Sequence, residues 1–397
     1  MKIVLAYSGG LDTSVLVKYL HDKYQADIIA VTADIGEGKD LEEVRQRALN
    51  VGAVAAYTLD LRDEFAQEYV LPAIKANGLY EGVYPLVSAL SRPLIVKKLV
   101  ETAEKESADA VAHGCTGKGN DQVRFDVGIA ALAPHIKTLA PVRDWGMTRA
   151  QEIDYAAEHG IPVPVKKGTA YSIDENLWGI SIESGPLEDA WQEPPEDAYR
   201  WTTSPEKAPD QPEYVVIDWE KGRPVAVNGE SPALADLIEM LNEIAGRHGV
   251  GRIDHIENRL VGIKSREVYE CPGATVLLRA HKALEDLVLP RELSSFKSIV
   301  DAKWAEVVYT GLWFSPLKGA LDAFIESTQE RITGTTKVKL FKGHAAVAGM
   351  KSPYSMYDLS LATYETGDLF SHSSAAGFID LYGLPTRVWS RGEKRDK

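Results

Sequence analysis

Apolar and polar positions follow two rhythms along the first 165 residues. Ile3 to Ala6 is a continuous apolar run that stops at a Ser-Gly-Gly turn, so it reads as a buried strand. Beyond the turn, Val15, Leu16, Tyr19 and Leu20 recur at helical spacing, and Ile28 to Thr32, ending at Ala33-Asp34, is a second apolar run. Together these predict one strand-helix-strand unit. Leu41 to Leu49 predicts a helix, Val54 to Leu59 a strand, Pro93 to Lys105 a helix and Ala108 to Ala112 a buried strand. A helix from about Asp121 to Leu132 and a strand near Thr138 to Ala140 complete the series. Apolar strands alternating with helices predict an α/β domain, a doubly wound, mostly parallel sheet of the nucleotide-binding kind. Ligands of such sheets sit at the carboxyl ends of the strands.

The pattern changes after Ile161-Pro162-Val163-Pro164-Val165. Prolines and acidic residues between Gly185 and Pro212 predict an extended surface segment. Strands follow at Tyr214 to Trp219 and Pro224 to Val227, helices near Pro232 to Ile244 and Ala302 to Thr328, and a hairpin over Lys337 to Met350. We read residues 1–165 as the nucleotide domain, 166–365 as a second α+β domain, and 366–397 as a C-terminal segment. The segment contains the apolar stretch Phe378 to Tyr382 and ends in a solvated tail, Arg391 to Lys397.

Composition narrows the class. The 58 acidic and 44 basic side chains leave a formal charge of −14, which repels phosphate backbones and anionic lipid surfaces. Nucleic acid and membranes are therefore not expected partners. The two cysteines, Cys115 and Cys271, form no metal-binding pair or disulfide framework, which fits a reducing, cytoplasmic setting. No apolar run approaches the roughly 18 to 20 residues of a membrane span.

Against that negative field, the first strand-to-helix loop is built for an anion. Ser8-Gly9-Gly10-Leu11-Asp12-Thr13-Ser14 has two glycines that let backbone N–H groups approach closely, a helix N-terminus directly behind them, and three hydroxyls. No G-x-x-x-x-G-K-[ST] or G-x-G-x-x-G accompanies it. As a plain turn, Gly9-Gly10 would only redirect the chain, with Asp12 favoured in the first helical turn. As a nucleophile elbow Ser8 would be a hydrolase nucleophile, but only seven residues precede it, too few for an oxyanion loop from an earlier strand.

The loop resembles the SGGxD[ST]S pyrophosphate loop of the N-type ATP pyrophosphatase family. Within it, four blocks resemble the argininosuccinate synthases: Ala6 to Ser14 with Thr32 to Gly36; His113 to Phe125; Tyr171 to Leu177, continuing to Ser181; and Glu257 to Arg259 with Lys264 to Arg266 and Tyr269-Glu270. The resemblance implies an AMP-forming C–N ligase that joins citrulline to aspartate in arginine biosynthesis, with ATP as substrate, Mg²⁺ as cofactor and a homotetrameric assembly. In that reading Ala6, Tyr7, Ser8, Gly9, Gly10, Leu11, Asp12, Thr13, Ser14, Ala33 and Gly114 bind ATP. Tyr84, Asn120, Arg124, Ser172, Ser181, Glu257 and Tyr269 bind citrulline, while Thr116, Asn120 and Asp121 bind aspartate. Asp12 and Asp121 are the catalytic candidates, Asp121 as an acceptor for the amine proton. An ammonia-using NAD synthetase is the alternative within the family, although it would need neither two amino-acid sites nor the long second domain.

The residue types suit this chemistry. Arg124 offers the fork that grips a carboxylate at two points, and Glu257 an acceptor for an ammonium. Each also has a plainer reading: Arg124 on a solvated helix face, Glu257 in a surface ion pair with Arg259, Tyr84 and Tyr269 as core aromatics. Cys115 reads as a buried inert thiol. Position 89 is alanine where many members of the resembled family carry a citrulline-contacting serine, which makes Ser88 or Ser91 the candidate substitute.

Overall fold

The computed structural model describes residues 1–38, 40–145, 147, 149–162, 171–365 and 368–392. The chain begins β1 (Lys2–Ala6), α1 (Leu11–Tyr24), β2 (Asp27–Asp34), α2 (Leu41–Val51) and β3 (Ala55–Asp60). A helical stretch follows in three pieces: α3 (Arg62–Phe65), a π-turn (Ala66–Val70) and α4 (Leu71–Lys75). Next come α5 (Val87–Glu106), β4 (Ala110–Ala112), α6 (Asp121–Leu132), β5 (Lys137–Leu139), α7 (Pro141–Trp145) and α8 (Arg149–Glu158).

The five strands form one parallel sheet in the order β3-β2-β1-β4-β5. Strand alternation decides how it is covered. Ile3 and Leu5 pack on Val15, Leu16 and Leu20 of α1, whereas Val4 faces Val96 and Leu99 of α5 and Ile129 of α6. The central strands are covered on both faces, which explains why they read as unbroken apolar runs, whereas the edge strands β3 and β5 are only partly buried. The sheet is doubly wound, and the strand order reverses between β1 and β4. The crevice at their carboxyl ends is where such sheets take a ligand.

The next elements are β6 (Ser172–Asn176), β7 (Gly179–Glu183), β8 (Glu213–Glu220), β9 (Arg223–Val227), α9 (Leu234–Arg247), β10 (Arg252–Asn258) and β11 (Lys264–Glu270). They are followed by α10 (Pro272–Val288), α11 (Arg291–Tyr309), α12 (Pro316–Thr328), β12 (Gly334–Phe341) and β13 (His344–Lys351). Two four-stranded antiparallel sheets result, β10-β11-β7-β6 and β13-β12-β8-β9. The chain divides into two compact units, Met1–Tyr354 and Ser355–Lys397. The second holds α13 (Leu359–Ala362), α14 (His372–Tyr382) and α15 (Leu384–Gly392). Phe378, Ile379, Leu381, Tyr382 and Trp389 are all exposed there. Among the described residues no helix is long and apolar enough to cross a membrane.

Several elements depart from the sequence pattern. Helix α5 starts at Val87, with Pro93 inside it rather than at its head. Its extra first turn is held by tertiary bonds, Ser88 N–H to the Tyr84 hydroxyl and Asn176 Nδ2 to the Val87 carbonyl. The single helix expected over Ala302 to Thr328 is two, broken where Gly311 adopts φ +78° and where Pro316 opens α12. Helix α10 is not among the expected elements although its apolar positions Val276, Leu277, Ala280, Leu284 and Val288 recur at helical spacing, and the π-turn interrupts the run of α3 and α4. The segment between Gly185 and Pro212 is irregular, but it is not merely surface. The backbone N–H groups of Arg200, Trp201 and Thr202 and the Thr202 hydroxyl all donate to the buried Glu270 carboxylate. The expected boundaries at 165/166 and 365/366 and the last five tail residues lie outside the described residues.

Candidate active site

Residues 7–10 join β1 to α1 in the β1/β4 crevice, and Leu11, Asp12, Thr13 and Ser14, expected as part of the loop, form the first turn of α1. Gly9 has φ +77°, a backbone conformation that favours glycine, and a Cβ there would crowd Val44 Cγ1 at 3.2 Å. Gly10 caps α1 without a side-chain cap bond, which leaves the first N–H groups of the helix facing the crevice. Hydroxyls order the loop: Ser8 Oγ lies 3.1 Å from Thr13 Oγ1, and Tyr7 Oη 3.0 Å from Ser14 Oγ. Arg47 of α2 donates to the Gly9 carbonyl at 2.7 Å, bringing a cation beside the loop. Ala6 to Thr13, Ala33 and Gly114 line one cleft of about 940 Å³ together with Arg47, Arg92, Cys115, Asp121 and Asp174. Ser14 instead lies beneath the cleft, buried against Tyr7.

The floor of this cleft is an ion-pair chain that connects the two halves of the molecule. Arg92 of α5 donates from Nε to Asp121 at 2.9 Å and from Nη2 to Asp174 at 2.5 Å. Arg124 donates to the other oxygen of Asp121 at 2.8 Å. Burial alone would raise the Asp121 pKa, but Arg92 and Arg124 outweigh it and hold the carboxyl at about 2. Asp174 also accepts from Ser88 Oγ at 2.6 Å, which brings Ser88 to the site while Ala89 is buried in the core. Burial, with Asp121 nearby, pushes the Cys115 thiol up, so it stays protonated. Cys115 is half-buried in the cleft wall rather than fully buried.

Period-2 alternation places the remaining candidates on one face of the β10-β11-β7-β6 sheet. Asp174, Ser181 and Tyr269 are direct cross-strand neighbours, as are Ser172 and Glu183, and Glu257 and Ser265. The opposite face carries Ile180, Ile182 and Val268, which pack on Leu187 and Ala198. Glu270 falls on that opposite side, so its role is the structural one described above.

A buried network lies against the polar face. Tyr269 Oη donates to Glu257 at 2.6 Å, and its ring stacks on Tyr84 with centroids 4.2 Å apart. Tyr309 Oη donates to the other Glu257 oxygen at 2.5 Å and accepts from Asn120 Nδ2 at 2.8 Å. Arg124 donates from Nε and Nη2 to the Tyr309 carbonyl at 3.0 and 2.9 Å. Burial, reinforced by Glu257, raises both phenols far above their ordinary pKa.

The structure therefore brings Tyr84, Asn120, Asp121, Arg124, Glu257 and Tyr269 into one connected cluster, with Ser181 beside Tyr269 in the sheet. Thr116 and Ser172 are exposed, and among the described residues no side-chain hydrogen bond joins either to this cluster, Ser172 pairing with Glu183 in the sheet. Arg124 is buried, not on a solvated face, and Arg259 pairs with Glu183 and Glu267 rather than with Glu257. The sequence reading missed Arg47, Arg92 and Tyr309. Asp174 lay inside a quoted block, and its alternation with Ser172 was the signal that could have found it. Tyr309 gave no local signal, since it is the last residue of α11, far along the chain from its partners.

Comparison with known proteins gives the same reading over the whole chain. Residues 2–162 match the family model described as arginosuccinate synthase N-terminal HUP domain, and residues 171–389 that described as arginosuccinate synthase C-terminal domain. The argininosuccinate synthase of Bacillus pumilus is 62% identical over 396 residues, covering 100% of this chain and 98% of the relative. That of Geobacillus kaustophilus is also 62% identical, covering 100% and 97%, and that of Symbiobacterium thermophilum 60%, covering 99% and 98%. With a doubly wound parallel sheet, a Ser-Gly-Gly loop at its switch point and full-length identity of this order, the chain belongs to the argininosuccinate synthase family.

Proposed function

We propose that this chain ligates L-citrulline to L-aspartate with cleavage of ATP to AMP and pyrophosphate. The observation that carries the reading is adjacency. The anion loop on β1 opens into a cleft whose floor, Arg92-Asp121-Asp174, is also the edge of the Asn120, Arg124, Glu257 and Tyr269 cluster. A triphosphate in the loop would thus present its α-phosphorus towards a pocket of paired charges suited to amino acids.

A ureido carbonyl has no leaving group, and transfer of AMP to its oxygen supplies one. The citrulline oxygen attacks the α-phosphorus and pyrophosphate departs; the aspartate amine, as free base, then attacks the ureido carbon, the C–O bond breaks, and AMP departs with the electron pair and the amine proton on its phosphate oxygen. The chain contributes chiefly orientation and fixed charge. Loop N–H groups and the Ser8 and Thr13 hydroxyls hold the phosphates. Glu257 binds the citrulline ammonium. Arg124 has five N–H donors, of which three are engaged, so two remain for the citrulline carboxylate. Thr116, Asn120 and Asp121 receive aspartate. With its carboxyl held at about 2, Asp121 acts as a permanently ionised acceptor that orients the amine, not as a group that stores its proton. Ser88 takes the place of the serine absent at position 89.

Among the described residues no group of three or more acidic, histidine or cysteine side chains could hold a metal by itself. Mg²⁺ is commonly bound by one or two carboxylates plus substrate phosphates. Asp12, in the cleft wall next to the loop, is the side chain that would hold it, and the ion would neutralise charge on the phosphate oxygens. We further infer a cytoplasmic homotetramer in which the exposed apolar helices α14 and α15 meet other copies.

The test is pyrophosphate release that requires both ATP and citrulline, with argininosuccinate appearing once aspartate is added. Oxygen-18 in the citrulline ureido group should be recovered in AMP. Formation of ADP and phosphate, or unlabelled AMP, overturns the reading.

A further inference from the structure

We propose that Tyr309 is a positioning residue for the amino-acid pocket, acting through Glu257 and Asn120. The inference rests on the citrulline reading of that pocket given above.

Tyr309 meets three of the pocket's polar residues with its own polar atoms. Its hydroxyl donates to Glu257 Oε1 at 2.5 Å and accepts from Asn120 Nδ2 at 2.8 Å. Its carbonyl receives Arg124 twice. Neither hydroxyl bond can reverse. Asn120 Oδ1 is committed to the Leu260 N–H at 2.9 Å, so the amide must turn its donor towards Tyr309. The phenol proton is then left for Glu257, and its strongly raised pKa keeps it there.

The ring has no freedom to turn away. Tyr80 stacks on it with centroids 3.5 Å apart and planes 4° from parallel, the Tyr84 ring meets it edge-on at 6.2 Å, and the Arg124 guanidinium lies 5.0 Å from its centroid. The backbone that follows is equally constrained. Gly311 adopts φ +78°, and a Cβ there would stand 3.0 Å from Arg124 Cα. The end of α11 is thus pressed against the first turns of α6, and Tyr309 transmits that fixed position to the pocket.

The consequence for binding follows from lone pairs. A carboxylate offers about four acceptor sites. Tyr269 and Tyr309 take one on each oxygen of Glu257, fixing the plane of the carboxylate while leaving two sites for an ammonium. Without the Tyr309 hydroxyl, Glu257 can rotate about its last bond and Asn120 loses its partner. The pocket is then less organised for citrulline before any chemistry begins.

The test is Tyr309→Phe, which keeps the ring stack and the carbonyl bonds to Arg124 and removes the hydroxyl alone. We expect the KM for citrulline to rise roughly 10-fold or more, as for loss of a hydrogen bond to a charged group, with the KM for ATP changed less than about 3-fold. Because KM does not depend on the active fraction, the readout survives poor recovery of folded enzyme. Glu257→Gln is assayed beside it. Because part of its action runs through Glu257, the effect of Tyr309→Phe on citrulline KM shrinks by at least about 3-fold in the Glu257→Gln background, the Asn120 part remaining, whereas a merely structural role multiplies through unchanged. An unchanged citrulline KM in Tyr309→Phe, or equal losses for citrulline and ATP, overturns the inference. An unchanged citrulline KM in Glu257→Gln overturns instead the pocket reading on which it stands.

Discussion

Replacing Asp121 by Asn should cost about 2 to 4 kcal/mol of stability at neutral pH, and the cost should vanish in acid. Asp121 accepts from Arg124 Nη1 at 2.8 Å on one oxygen and from Arg92 Nε at 2.9 Å on the other. Asparagine can accept on one side only, so its amide N–H group would face the second guanidinium, donor against donor. The lower figure comes from linkage. A carboxyl ordinarily near 3.8 and held at about 2 stabilises the fold by about 2 to 3 kcal/mol once both states are ionised. The upper figure comes from removing one partner of a buried ion pair, about 3 to 5 kcal/mol, reduced because the Asp121 side chain keeps 28% of its exposure and Arg92 retains Asp174. Because the folded pKa is depressed, this stability is fully present above about pH 4 and lost as pH falls through about 2. Urea midpoints of wild type and Asp121→Asn, at one protein concentration, should therefore differ most at pH 7 and converge between pH 4 and pH 2. Equal midpoints at pH 7, or a gap that stays constant into acid, would refute the argument.

Gly36→Ala should destabilise by about 2 to 4 kcal/mol, since φ +101° is strained for alanine and its Cβ would stand 2.8 Å from the Leu177 backbone nitrogen. The Leu177 N–H to Ile35 carbonyl bond, which ties the β6–β7 hairpin to the end of β2, should open, and hydrogen exchange at Leu177 no faster than in wild type would contradict this. Asp12→Ala should lower kcat about 100-fold or more while the urea midpoint shifts by no more than about 1 kcal/mol equivalent; near-normal turnover would count against the loop assignment. Introducing charge on α14 as Phe378→Glu with Ile379→Glu should lower the solution mass measured by light scattering, and an unaltered mass would remove that helix from the interface.

The candidate loop was legible because its features are local: Ser8, Gly9, Gly10 and Thr13 offer backbone geometry and hydroxyls within one turn. Parallel topology was legible for a related reason, since strands covered on both faces must be apolar throughout. Citrulline and aspartate candidates became visible only through likeness to a family, and their arrangement was not visible at all. Arg92 illustrates why. A lone arginine after two serines carries no signal, yet it joins Asp121 to Asp174 across 53 positions of chain.

By itself, then, the amino-acid sequence determined the doubly wound sheet, the phosphate-type loop at its switch point and the family to which the chain belongs. These follow from periodicity and from short-range backbone chemistry, which a linear string carries in full. Tertiary structure alone decided which charges meet: that two arginines hold Asp121 ionised, that Glu270 faces away from the site while Tyr269 faces into it, and that Tyr309 organises Asn120, Arg124 and Glu257. Such contacts depend on helix ends and strand registers brought together from distant segments, and no local pattern encodes the distances at which they meet.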